Sequence, residues 1–323
     1  MYKPTEYQYQ IYFCTKEYNL SLWQQASEII TNPSYTPFKR KITKKIQSIV
    51  CNSPHTDHLF ELLKVIQPVD AQYLTHKSFK LSESIKAIYE EYKKFGYNLP
   101  EPINPLYLNQ PTYINYIYQP VINFINEVKL HSTNKKAIAD RNTRKDLINE
   151  IKKKNIKVMK KLFKTKQQFN LNVFTYVFNM EQCISRDKPF IEQALTQQIS
   201  RMIDKFNENY KSEILELFFQ LQRDLSKNYV LNVYSATESE CEPLSMQDFI
   251  PQKNGNFFIA PQINITLKTS ETLWSMNIQD VNGLNEKRWK AIFSELLAKY
   301  HYVYYESEYV SPKFNYKDCS INY

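Results

Sequence analysis

The chain has 323 residues, with 42 Lys+Arg against 33 Asp+Glu and a formal net charge of +9. A hydrophobic fraction of 42% and a charged fraction of 23% match globular averages, which excludes wholesale disorder. Glycine occurs only at Gly96, Gly255 and Gly283. No G-x-G-x-x-G, G-x-x-x-x-G-K-[ST] or G-x-S-x-G is therefore present, and glycine-dependent nucleotide sites and the hydrolase nucleophile elbow are excluded.

The N-terminal half reads as helical. Leu22, Trp23, Ala26, Ile29 and Ile30 keep helical spacing, and Asn32-Pro33 ends that helix. A basic run, Lys39, Arg40, Lys41, Lys44 and Lys45, is placed on a helix with Ile42, Ile46 and Ile49 inward. Leu59 to Ile66 and Ser82 to Tyr92 are further helices, the second stopped at Gly96. Pro100, Pro102 and Pro105 form a stiff connector, and Tyr113 to Val128 is a helix containing Pro120. The uncharged run from Pro102 to Asn126 carries four prolines and recurrent Asn and Gln, so it is not a membrane span.

Between Lys129 and Lys166 lie 14 basic residues opposed only by Asp140, Asp146 and Glu150, a segment charge of +11 that leaves the rest at −2. Leu147, Ile151, Val158 and Leu162, with Ile148, Met159 and Phe163 beside them, make an apolar stripe along it. A long helix with one buried and one cationic face follows. Such a face is either a solvated surface or a site for polyanion phosphates.

After Phe169 the period changes. Leu171 to Phe178 reads as a strand and Leu195 to Phe206 as a helix, and Ile214, Leu217, Leu221 and Leu225 keep helical steps. Tyr229 to Tyr234 is a second strand. An acidic loop with Glu238, Glu240 and Glu242 follows, then a third strand over Phe257 to Leu267. A helix around Trp289 and Phe293 and a fourth strand at Tyr302 to Tyr305 complete a β-α-β-β-α-β order. If one face of that sheet is open, Phe174, Tyr176, Phe178, Tyr302 and Tyr304 are placed to stack bases; burial under helices is the other outcome.

Little points to catalysis. His55 and His58 in H-T-D-H lack further ligands at a zinc spacing and mark a helix start, with Thr56 or Asp57 as its cap. Five scattered cysteines without C-x-x-C suit a reducing compartment, and the N-terminus carries no secretory pattern. No nucleophile–base set stands out, and the Glu238, Glu240 and Glu242 alternation reads as loop solvation rather than as a Mg²⁺ site.

Between Leu106 and Ser235 the chain resembles the inovirus and prophage replication-initiator-like proteins. The resemblance lies in YINYIYQPVINFINEV, IADRNTRKDL, a basic helix ending KVMKKLF, then LNVFTYVF, ALTQQISRMIDKF and YVLNVYSATE. It implies DNA binding in replication. The family's last strand precedes two metal-binding histidines separated by one residue, and a tyrosine attacks the DNA phosphate. No H-x-H occurs in this chain, so the paired ligands for the metal that would polarise a scissile phosphate are missing, and the resemblance implies either a divergent member or one that keeps DNA binding and has lost nicking.

The expectations are these. The fold is α+β, with a helical N-terminal half and a ferredoxin-like C-terminal half. It divides into a helical region 1–100, a connector and basic helix 101–168, a sheet domain 169–310 and a tail 311–323. The protein is a cytoplasmic nucleic-acid binder of phage or plasmid context, taking DNA rather than RNA, without cofactor, metal or membrane. Phosphates are held by Arg141, Arg144, Lys152, Lys153, Lys157, Lys160, Lys161 and Lys164. The alternative is a non-enzymatic interaction factor acting on a host protein.

Overall fold

The computed structural model describes residues 15–43, 46–51, 55–65, 77–98, 105–165, 169–179, 188–210, 213–238, 243, 264–276 and 284–317. In chain order the elements are α1 (Thr15–Thr31), β1 (Phe38–Thr43), β2 (Ile46–Cys51), α2 (His55–Val65), β3 (Phe79–Leu81), α3 (Glu83–Asn98), α4 (Pro111–Ser132), α5 (Lys135–Thr165) and β4 (Phe169–Asn179). There follow α6 (Lys188–Asn209), β5 (Ile214–Arg223), β6 (Tyr229–Thr237), β7 (Asn264–Met276), α7 (Leu284–Leu296), β8 (Val303–Tyr305) and β9 (Asn315–Lys317). Helices dominate the N-terminal half and strands the C-terminal half, as expected.

The chain packs into two compact units, one of residues 15–146 with 299–303, the other of residues 147–298 with 304–323. The division falls inside α5, after Asp146, rather than at the change of sequence period near residue 168. The basic helix is therefore not a region of its own: its first twelve residues belong to the helical unit and the remainder to the sheet unit.

In the helical unit the core forms around Trp23, which meets Tyr89 and Tyr92 edge-on at 5.7 and 5.3 Å, while Phe95 stacks on Phe124 at 4.9 Å. Such pairs add about 0.5–1.5 kcal/mol each beyond the area they bury. Ser82 caps α3 by accepting the Ile85 amide at 3.2 Å. Lys39, Arg40 and Lys41 are not helical: they lie in β1, which pairs antiparallel with β2, Thr43 opposite Ile46, while Lys44 and Lys45 lie outside the described residues. Thr56 does not cap α2; its buried hydroxyl donates to the Pro37 carbonyl at 3.0 Å and ties α2 to the approach to that hairpin.

In the sheet unit five antiparallel strands lie in the order β7-β4-β6-β5-β9. α6 joins β4 to β5, and β6 lies between them. Successive residues of a strand face opposite sides, so the contacts assign the layers. On one face Phe169 stacks on Phe163 of α5 at 5.9 Å, and Phe218 and Tyr234 gather Phe314, which touches Phe293 of α7. On the other, Phe174 meets Phe206 of α6 at 6.2 Å. Helices thus cover both faces.

Four expectations change. β8 (Val303–Tyr305) is not a strand of the five-stranded sheet, so the expected fourth strand at Tyr302 to Tyr305 does not complete a β-α-β-β-α-β sheet. Ile214 to Arg223 is strand β5, not helix. The 311–323 segment is not a tail throughout: Phe314 is buried and residues 315–317 pair with β5, while residues 318–323 lie outside the described residues. Phe174, Tyr176, Phe178 and Tyr302 are buried, and Tyr304 is half-buried, so the buried rings offer no base-stacking platform. Glu240, Glu242 and the stretch 257–263 lie outside the described residues.

The carboxylate of Glu192, on α6, collects three hydroxyls. Tyr229 donates to it at 2.7 Å, Ser307 at 2.5 Å, and Tyr305 donates to the same oxygen as Tyr229. The Arg223 guanidinium lies over both tyrosine rings. From Tyr305 the chain passes around the β5 edge: Gln220 donates to the Pro312 carbonyl, and Phe314 enters the opposite face. Residues 315–317 then pair with Leu217 to Phe219 and cover that part of the β5 edge, whose backbone groups would otherwise be unpaired.

Candidate nucleic-acid interface

α5 contains neither Gly nor Pro and is capped by the preceding Asn134, whose side chain accepts the Ala137 amide at 2.8 Å. Its buried line runs through Ala137, Arg144, Ile148, Ile151, Asn155, Met159 and Leu162. At the 100° per residue of an α-helix, Lys153, Lys157, Lys160 and Lys164 fall within roughly 60° of one another on the opposite side and span about 16 Å. All four are exposed, as are Lys154 and Lys161, whereas Lys152 is half-buried. Lys153–Lys157, Lys157–Lys161 and Lys160–Lys164 are like-charge pairs at i, i+4, each costing about 0.2–0.5 kcal/mol. The buried face holds the helix against that repulsion.

Within the sheet unit the cationic surface is larger than α5. Trp289 of α7 donates its indole N–H to Asn155 at 2.7 Å and fixes the two helices side by side. This brings Lys160 to 3.7 Å from Glu286 Oε2, while Lys290, one turn along α7, holds Glu286 Oε1 at 2.6 Å. The hydrogen bond from Lys290 holds the Glu286 carboxyl below its ordinary value against a desolvation that works the other way, and the Lys160 and Lys290 charges add to the lowering. Lys287 and Arg288 are exposed on the same helix. Sequence reasoning missed these cations, which stand more than a hundred residues from α5. The signal available was Glu286–Lys290, an i, i+4 pair flanking an apolar Trp289.

Other cations of α5 are engaged elsewhere, Lys154 among them although it is not in the expected set. Lys154 lies over the Tyr316 ring at 4.5 Å. In the helical unit Arg141 is exposed and donates through Nη2 to the Ser132 carbonyl at 2.6 Å. Arg144 is withdrawn from the phosphate-binding set. It is 2% exposed, pairs with both Asp140 oxygens at 3.0 Å, and donates to the Tyr300 and Lys80 carbonyls at 3.1 and 2.8 Å. Asp140 also accepts the Glu83 amide at the start of α3. A guanidinium so buried and so engaged is not presented to a backbone phosphate.

Among the described residues no group of three or more His, Cys, Asp and Glu is placed to hold a metal ion, and no helix is long and apolar enough to cross a membrane. No protein-family model, curated protein or solved structure matches this chain.

Proposed function

We propose that the chain binds nucleic acid, DNA rather than RNA, through the cationic surface of α5 and α7, in replication of a phage or plasmid and without nicking. The observation that carries the reading is the row of Lys153, Lys157, Lys160 and Lys164, exposed opposite the buried face of α5 and continued by Lys287 and Lys290 on α7. Lysines positioned as point charges on rigid helices hold phosphates and set register; they carry no base readout. The strand order β7-β4-β6-β5, with β6 between the two strands that α6 joins, supports a ferredoxin-like core to which β9 and the α5–α7 layer are added. A second reading, contact with a host protein, is favoured by Leu106, Tyr107 and Tyr116, exposed in the helical unit at 77%, 44% and 52%.

Fluorescence anisotropy with labelled single- and double-stranded oligonucleotides across a salt series tests the first reading. Four to eight phosphate contacts give a log–log slope of about −4 to −7 on duplex. Changing Lys153, Lys157, Lys160 and Lys164 to Glu abolishes that binding with the fold intact. Unchanged affinity in this variant, or no binding by the unaltered protein, overturns it.

A further inference from the structure

We infer that Glu286 is a built-in competitor for one phosphate position, its carboxylate standing where a phosphodiester oxyanion of the bound strand sits between Lys160 and Lys290. The inference rests on the nucleic-acid reading and assigns to that surface both a two-helix phosphate clamp and a device that weakens it.

The geometry is that of a clamp half occupied. Lys290 is hydrogen-bonded to one oxygen of Glu286 at 2.6 Å, while Lys160 stands 3.7 Å from the other, inside ion-pair range but beyond hydrogen-bond reach. A carboxylate satisfies the first ammonium and leaves the second short. A phosphodiester carries the same single negative charge and is not tethered to α7 as the carboxylate is, so it can settle between the two ammoniums and take a hydrogen bond from each. Lys157 and Lys164 flank Lys160 one turn away on either side along α5, and Lys287 precedes Lys290 by one turn on α7. The carboxylate therefore sits within the cationic surface rather than at its margin.

Stability gives little reason for a carboxylate at this position. Glu286, Lys160 and Lys290 have side chains 27%, 50% and 46% exposed, and ion pairs in such settings contribute little to folding. What Glu286 changes is the charge that an incoming polyanion meets. A strand that binds turns the carboxylate out to solvent and takes its two lysines, so the observed affinity is lower than the lysines alone give, and release is faster.

The test compares the full chain with Glu286→Gln, and with Glu286→Gln combined with Lys290→Gln, on a fluorescein-labelled duplex oligonucleotide over a salt series. Circular dichroism and thermal unfolding establish that all three fold alike. Glu286→Gln binds about three- to tenfold more tightly at low salt, as removal of one like charge several ångströms from a phosphate predicts. Its log–log slope steepens by about 1 to 2, because two lysines become free to contact phosphate. Adding Lys290→Gln removes that gain. If the unaltered chain binds and Glu286→Gln binds equally or less tightly, the competitor role is overturned while the nucleic-acid reading stands. Absence of binding by every form overturns both.

Discussion

Trp289 and Asn155 meet at 2.7 Å through an indole N–H and an amide oxygen, both side chains fully buried, and this single hydrogen bond sets α7 beside α5. The cationic surface depends on it, because Glu286, Lys287 and Lys290 lie within one turn of the tryptophan. Replacing Asn155 with Leu leaves a buried indole N–H without its acceptor and costs about 1–3 kcal/mol. Urea unfolding of this variant measures the loss, and an unchanged midpoint would mean that the helices are fixed by apolar packing alone.

Arg144 behaves as a fold residue. Arg144→Leu strands Asp140, a quarter exposed, and leaves two backbone carbonyls without their donor, a loss of about 1–3 kcal/mol. The salt slope of oligonucleotide binding, measured below the variant's unfolding temperature, stays as in the unaltered chain. A flatter slope would return Arg144 to the phosphate-binding set.

Alkali titrates the sheet unit through its phenols. Burial raises Tyr234 above the ordinary 10.0 and pushes Tyr316 up to about 12. Burial also raises Tyr229 and Tyr305, helped by the Glu192 charge beside them and opposed by Arg223. A raised folded value means stability that is fully present below pH 10 and lost as pH rises through the folded values. Phenolate absorbance therefore shows a set of tyrosines silent past pH 10 that appear together as the unit unfolds. Ionisation of every tyrosine near pH 10 in the folded protein would contradict this.

Phe314 touches Phe218, Tyr234 and Phe293 and is 5% exposed. Phe314→Ala costs about 3–5 kcal/mol, read as a shift of the denaturation midpoint. A loss below about 1 kcal/mol would mark the segment after Tyr305 as loosely held.

What the sequence disclosed follows from how each element is exposed. The stripe on α5 was legible because one face is buried and the other faces water, so a 3.6-residue period survives in the residue types. Arg144 was readable in principle, standing four and seven residues before Ile148 and Ile151 on the buried line, but a cation within a charge run resembles its solvated neighbours. β5 was misread because Ile214, Leu217, Leu221 and Leu225 happen to step like a helix. Layers on both sides also erase the alternation of a half-exposed strand. In the first hairpin, Ile42 and Ile46 sit at helical spacing only because a two-residue connection separates their strands. Lys290 could not be joined to Lys160 from sequence, since their proximity depends on a tertiary hydrogen bond.

The route of the chain past Tyr305 has a consequence for synthesis. β5 ends at Arg223, but the strand that closes its edge begins at Asn315, roughly ninety residues and several seconds of translation later. Throughout that interval the nascent sheet offers an unpaired strand beside an uncovered aromatic cluster. A ribosome stalled short of Phe314 therefore displays a template for pairing with its neighbours on the same message, and full-length protein and truncated products should differ sharply in how readily they aggregate.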